Sequence, residues 1–327
     1  MSFNTTDLVL YTATKNTSDL SNGGVMSSNI AVSGVQDNIF PDVSDNEKLN
    51  GSTTWRKVFW KNNNSSNLAL RNPIVALTQY TSGNDIIVFC EGNNTDTQLD
   101  IQNTTRFYGS AQLRISVSAG ATILQGTLEN VNIVTFVTGD NIRIGNATQS
   151  EYFNNVTVSI NNLNIAITLH AGDSIQGTYT SSTTVISSIL PVNDLITTYD
   201  GLTTTSSSGI LNISEYDIDT VNLGTAYQIW TLSFYNSTHF TLHGDSLGYV
   251  GDGNITENFI PLNTLTNAPY FVLYYGIWQG TWNTNDTVTF VTYPSAIALW
   301  FKRIITAGDT NTYTNFKHIL RGQAASS

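Results

Sequence analysis

The sequence predicts an all-β chain, a multi-domain β-sandwich of Ig-like or jelly-roll-like type, and three observations lead to it. Charged residues make up only 11% of the 327, against roughly 25% in an average globular protein, and Asn, Thr and Ser take their place. Such uncharged polar residues favour strands and turns over long solvated helices. Apolar residues recur in short alternating runs spaced by about 8 to 12 residues, the rhythm of sandwiches and barrels. Finally, the two stretches that set aromatic rings beside cations, 51–62 and 297–305, both read as strands and stand far apart in the chain.

The first of these, GSTTWRKVFWKN, organises the rest. At period two Trp55, Lys57, Phe59 and Lys61 point one way and Arg56, Val58 and Trp60 the other, so neither face is purely apolar. That pattern suits a sheet whose cations snorkel or pair at its margin. Its counterpart, IALWFKRII, places Trp300 and Phe301 beside Lys302 and Arg303. We expect the first and last strand groups to form one discontinuous sandwich, residues 39–105 plus 286–321.

In chain order, residues 1–38 hold one short strand, Leu8 to Ala13, and then sparse apolar residues in an Asn, Ser and Gly-rich run. They read as an extended N-terminal arm that packs on its own domain or on a neighbouring subunit. Ser44 and Glu47 fit a capping box over a single helical turn. Strands at 55–61, 68–78 and 84–90 make a meander, with Asn62-Asn63-Asn64 and Ser82-Gly83-Asn84 as its turns. Residues 106–180 read as a β-module opening with strands at 111–117, 121–128 and 131–137. Later in that module Val156, Val158, Ile160, Leu163, Ile165, Ile167 and Leu169 should face inward about an Asn161-Asn162 hairpin turn. The Ser/Thr-rich residues 181–209 are the expected linker, and 210–285 a further β-module. After an Ala307-Gly308 turn, Phe316 to Leu320 is the last expected strand and 322–327 a disordered tail.

Charge is unevenly placed. Net charge is −11, and all thirteen Lys and Arg fall within 15–143 or 302–321, so residues 144–301 hold acids and no cation. Such a stretch cannot grip a phosphate backbone or an anionic membrane surface, so neither nucleic acid nor membrane is an expected partner. The opening MSFNTTDLVL lacks the basic region and apolar core of a signal peptide, and no run approaches the roughly 18 apolar residues of a membrane helix. Cys90 is the only cysteine, within the apolar run IIVFC, and reads as a buried structural thiol.

Searched for chemistry, the sequence nominates no catalytic, cofactor or metal residue. Of the histidines His170, His239, His243 and His318, the second and third have the spacing of a helical zinc pair. Their surroundings read as a strand, which would set them about 13 Å apart. Asp245 to Glu257, DSLGYVGDGNITE, lacks the ligand spacing of a calcium loop and reads as a β-turn. Asp217 and Asp219 share a face of an extended segment, a test any two acids pass. Trp278 and Trp282 could stack on sugar rings, but burial in the sandwich is the plainer reading.

Two stretches carry a resemblance. NIFPDVSDNEKLNGSTTWRKVFWKNNN resembles an opening found in tail and other virion structural proteins of bacteriophages. There a Phe-Pro-x-Val segment and a Gly precede an aromatic-Arg-Lys strand ending in Asn. WQGTWNTNDTVTFVTYPSAIALWFKRIITAGDTNTYTNFKHILRG resembles the close of the same proteins, with a Trp-Gly strand, a Thr-x-Pro turn, a Trp-x-Lys/Arg-Arg strand and an Ala-Gly turn. The resemblance implies a noncatalytic component of a virus particle, which we expect to be of tail or baseplate type. The charge-poor all-β composition and the arm suit a homo-oligomeric subunit that assembles with other virion proteins. The lack of a signal and of disulfides leads us to expect synthesis in the host cytoplasm. A connector or capsid-decorating place stays open. The alternative expectation is a receptor-binding adhesin for host surface glycan.

Overall fold

The structure, a computed structural model, describes residues 3–79, 81, 85–308 and 315–324. First come β1 (Leu8–Lys15), β2 (Gly23–Ile30), helix α1 (Asp45–Asn50), β3 (Ser52–Asn62), β4 (Leu70–Leu77), β5 (Ile86–Glu91) and helix α2 (Gln98–Ile101). A second group holds β6 (Ser110–Leu113), β7 (Ile123–Leu128), β8 (Asn141–Gly145), β9 (Ser150–Phe153), β10 (Thr157–Asn161), β11 (Asn164–Thr168) and β12 (Val185–Pro191). The third begins with β13 (Thr198–Thr205), β14 (Ile210–Leu211), β15 (Asp219–Thr220), β16 (Gln228–Phe234), β17 (His239–Gly244) and β18 (Gly248–Asn254). It continues through β19 (Leu262–Asn263), β20 (Ala268–Pro269), β21 (Phe271–Val272), β22 (Trp278–Gln279) and β23 (Thr287–Tyr293). The chain then returns to the first group as β24 (Ala296–Ile305) and β25 (His318–Ala324).

The chain is all-β, and its first and last strand groups form one discontinuous domain. β24 lies antiparallel on β3 in unbroken register, from Ala296 opposite Lys61 to Ile305 opposite Ser52. The full sheet runs β2-β1-β3-β24-β5. On one face Val58, Ile87, Phe89, Leu299 and Phe301 pack against Val75, Leu77 and Leu190, so β4, β25 and the end of β12 form the opposing layer. On the other face Trp55, Val88, Cys90 and Trp300 are covered by Ile101 of α2 and by Phe107. Close approach to Trp300 demands glycine at position 23: a Cβ there would stand 2.6 Å from the indole, and the backbone is left-handed at φ +108°.

The second module joins the same β4–β25 layer through β12, in a sheet ordered β10-β11-β7-β6-β12-β4-β25. The third is built on β13-β23-β16-β17-β18. Its core gathers Trp230, Phe234, Phe240, Phe271, Trp282 and Phe290.

Several expectations are corrected. The expected extended arm packs on its own domain, and from Leu8 to Ile30 it does so as part of the sheet: β1 pairs with β3 from Leu8 opposite Asn62 to Thr12 opposite Val58, and β2 pairs with β1. The free edge of β3 supplies the partner that sparse apolar residues alone could not. From 31 to 43 the chain runs without strand or helix, as a wrap over the central sandwich. The 181–209 linker contains β12, buried from Val185 to Leu190, because its serines find partners: the Ser187 hydroxyl donates to the Leu77 carbonyl. It also contains the whole of β13, which pairs with β23. β23 therefore belongs to the third module, and the central domain resumes at 296 rather than 286. No strand forms over 131–137. In the 157–168 hairpin, Val156, Ile165, Ile167 and Leu169 are buried as expected, but Ile160 and Leu163 stand exposed at its tip, where Asn162 takes a left-handed φ of 52°. β25 runs through Ala324, so Gly322 to Ala324 are strand and not tail, while 325–327 and the Ser82-Gly83-Asn84 turn lie outside the described residues.

Candidate functional site

Because both faces of the central sheet are covered, Arg56, Lys57, Lys61 and Arg303 of β3 and β24 are inside the protein and not at a margin, while Lys302 is half-buried. An ammonium or guanidinium taken out of water costs several kcal/mol unless dipoles or a counter-ion replace the lost hydration. Lys57 has a fully buried side chain and meets Asp96 Oδ1 at 2.5 Å. Its Nζ also donates to the carbonyls of Gly24 at 2.6 Å and Asp96 at 3.0 Å. Burial lowers its pKa, and the Asp96 carboxylate opposes the shift. Rings of Phe59 and Trp300 face the ammonium at 4.9 and 5.8 Å.

The other cations brace by carbonyl dipoles. Arg56 Nη1 donates to the Thr17 and Trp55 carbonyls, each at 2.7 Å. Arg303 Nη1 reaches the Pro41 carbonyl at 2.8 Å, with its guanidinium 4.9 Å from the Phe40 ring. Lys61 Nζ donates to the Leu223 carbonyl at 2.8 Å, and burial pushes its pKa down to about 8. Two bonds from Asn222, its N–H to Asn67 Oδ1 at 2.9 Å and its side-chain amide to the Leu68 carbonyl at 3.1 Å, strengthen the same junction. Each cation thus ties one strand pair to a different region: the loop after β1, the start of β2, the 31–43 wrap and the third module. Sequence reasoning found these cations and missed their partners, since nothing local marks a carbonyl far along the chain.

Outward from this braced core stands an uncovered apolar row. Ile30, Val32 and Val35 are 53%, 53% and 57% exposed, on and just beyond the end of β2. Leu49, in α1, is exposed as well.

The residues singled out for chemistry disperse into structural roles. His239 and His243 lie in β17, beside Tyr235 and Tyr249, and no group of three His, Cys, Asp or Glu able to hold a metal occurs among the described residues. His170 is exposed, and His318 lies at the central sandwich against Trp60, Phe301 and Phe316. Burial pushes the Cys90 thiol up to about 12, which keeps it protonated and inert. Residues 245–247 turn between β17 and β18, but Gly251 to Asn254 lie in β18, so the expected turn covers only the start of that segment. Asp217 and Asp219 are exposed and accept hydrogen bonds from the Tyr199 and Tyr274 hydroxyls.

Trp282 is 1% exposed and stacks on Phe234 at 4.4 Å, with Trp278 edge-on to both. Gly209 makes room for it, since a Cβ there would stand 2.5 Å from the indole. Trp282 is core, and Trp278 packs against it partly buried. No helix among the described residues is long and apolar enough to cross a membrane. In comparisons with known proteins, no family model, no curated protein and no solved structure matches the chain.

Proposed function

We propose that the protein is a structural subunit of a bacteriophage particle, of tail or baseplate type, that acts by protein–protein contact with itself and with other virion proteins. In this reading it carries no catalytic site and is incorporated into the particle from the host cytoplasm. The observation that carries it is the apolar row Ile30, Val32 and Val35, more than half exposed on a segment that buried Arg303 pins to the core. Exposed apolar surface on a rigid mount is what an assembly contact requires. Its resemblance to phage virion proteins in 38–64 and 278–322 points the same way, and the charge-poor surface suits close packing of subunits.

A test follows from the fold. Deleting the first 38 residues would remove β1 and β2 from the central sheet, so point changes are the sharper probe. Val32→Asp with Val35→Asp should leave the melting temperature of the monomer unchanged while lowering its mass in solution and its incorporation into particles. Normal assembly by that variant would sink the proposal.

A glycan-binding adhesin is the second reading. Its platform would be Tyr216 and Tyr275, 44% and 64% exposed beside Asp217 and Asp219, in place of the buried Trp282. Loss of cell binding in Tyr216→Ala with Tyr275→Ala, with assembly intact, would favour it.

A further inference from the structure

A cavity of about 740 Å³ lies between the 31–43 wrap and the central sandwich. Its wall includes the aromatic rings of Phe40, Trp60 and Phe316, with Val32 from the wrap. The same wall holds Arg303, only 5% exposed. A guanidinium has two donor edges, and here they are used unequally. Nη1 donates to the Pro41 carbonyl, while Nε and Nη2 have no hydrogen-bond partner. Nε–H and Nη2–H lie parallel along one edge of the plane and form the fork that fits the two oxygens of a carboxylate.

Leaving a buried donor unpaired costs about 1 to 3 kcal/mol, and more when it is charged. A further donor in the wall shares that condition. The Trp60 indole N–H is buried without a partner, and Nε2 of His318 also has none. The carboxylates of Glu47, Asp85, Asp37 and Asp42 act on Arg303 through space, yet none accepts a bond from Nε or Nη2. Burial still holds the guanidinium below its usual basicity, the sign of a cation short of hydration and counter-charge. The site therefore combines an apolar volume with a concentrated deficit of acceptors.

We infer that this cavity binds a small organic acid with an apolar or aromatic body. Its carboxylate would sit on the Nε and Nη2 edge of Arg303, and its body between Phe40, Trp60 and Phe316. The volume falls within the roughly 300 to 1,000 Å³ of small-molecule sites. Inorganic anions would satisfy the fork and leave the aromatic wall uncovered. A neutral apolar molecule would do the reverse.

Calorimetric titration of the full chain with dodecanoate and with 1-naphthoate tests this, with dodecan-1-ol as the neutral control. Saturable binding of one acid molecule per chain is expected, at least about tenfold tighter than the alcohol, the scale of one charge-assisted contact. Arg303→Met should abolish the preference for acid. Arg303→Lys keeps the charge but loses the fork, and should weaken binding without restoring the preference. Should the Arg303 variants fail to fold, two others decide: Trp60→Phe removes one donor, and Val32→Trp fills the cavity from its exposed rim. Unchanged affinity in both of these overturns the inference. So does the absence of saturable binding by either acid, equal affinity for the alcohol, or competition of the acid with formation of a dimer, which would put a second copy of the chain in the cavity.

Discussion

The central sandwich and the third module handle charge in opposite ways. In the sandwich, Arg56, Lys57, Lys61 and Arg303 are buried and held by backbone carbonyls, and Lys57 alone adds a counter-ion, Asp96. The third module, residues 198–293, has no Lys or Arg, and its acids stay near the surface under neutral donors. Tyr199 serves Asp217, Tyr274 serves Asp219, the Ser206 hydroxyl bonds Asp286 at 2.6 Å, and the Ile229 N–H bonds Asp245 at 2.9 Å. A buried cation must recruit polar groups from wherever the chain can offer them, so it couples distant segments. An exposed acid can be met by water and need couple nothing. Charge in the sandwich therefore contributes architecture, and in the third module it contributes solubility.

The comparison breaks most visibly at Lys57. Lys57→Met leaves Asp96 buried and unpaired, and should lower stability to denaturant by about 3 to 5 kcal/mol. Adding Asp96→Leu to that variant should recover most of the loss, because the penalty comes from the orphaned carboxylate. In the third module a loss of that size requires an aromatic change: Trp282→Ala should cost about 3 to 5 kcal/mol through the cavity left against Phe234. A third-module acid with as large an effect as Lys57 would end the contrast.

Lys61 sharpens it through pH. With a folded pKa near 8 against the usual 10.5, the unfolded chain holds more protons in that window, so stability should rise between about pH 8 and 10.5. The gain is on the order of 3 kcal/mol, and Lys61→Met should abolish the rise. Glu129, in the second module, works in the reverse sense. Burial pushes its pKa up to about 7, opposed by bonds from Thr81. The native state then holds the extra proton, and stability should fall as pH rises from about 4.5 to 7. Glu129→Gln should flatten that slope in a pH series of thermal melts. At the small end, Asp217→Asn and Asp219→Asn should leave the unfolding midpoint where it is. A measurable drop in either would show that the Tyr–Asp contacts brace the third module as Lys57 braces the sandwich.

What could be read along the chain was whatever depends on near neighbours. Period-two alternation identified β3, β24 and the core positions Ile165 and Ile167. Ser44 with Glu47 capped a single turn, and the Ser44 hydroxyl accepts from the Glu47 N–H at 3.3 Å. That β3 and β24 share one domain was also legible, because two strands alike in their ring-and-cation pattern suit one sheet environment; that they pair directly was not. Where readings went astray, the same composition has two outcomes. Ser187 and Ser188 look like linker residues, yet they lie inside β12 once the Leu77 and Gly109 carbonyls accept their hydroxyl protons. Residues 14–38 look too sparse to fold, and Gly23–Ile30 becomes a strand only because β1, itself paired with β3, offers an edge.

By itself, then, the sequence determined an all-β chain with a discontinuous central domain, the burial of Cys90, and the segregation of cations away from 144–301. Only the tertiary structure decided that Arg56, Lys57, Lys61 and Arg303 are internal, which segments they hold, that Trp282 is core, and that one edge of Arg303 faces no acceptor. The reason is physical. Alternation and turn chemistry act between residues a few positions apart, whereas the environment of a charge depends on what covers it, and that cover is assembled from segments as distant as 41, 96 and 223.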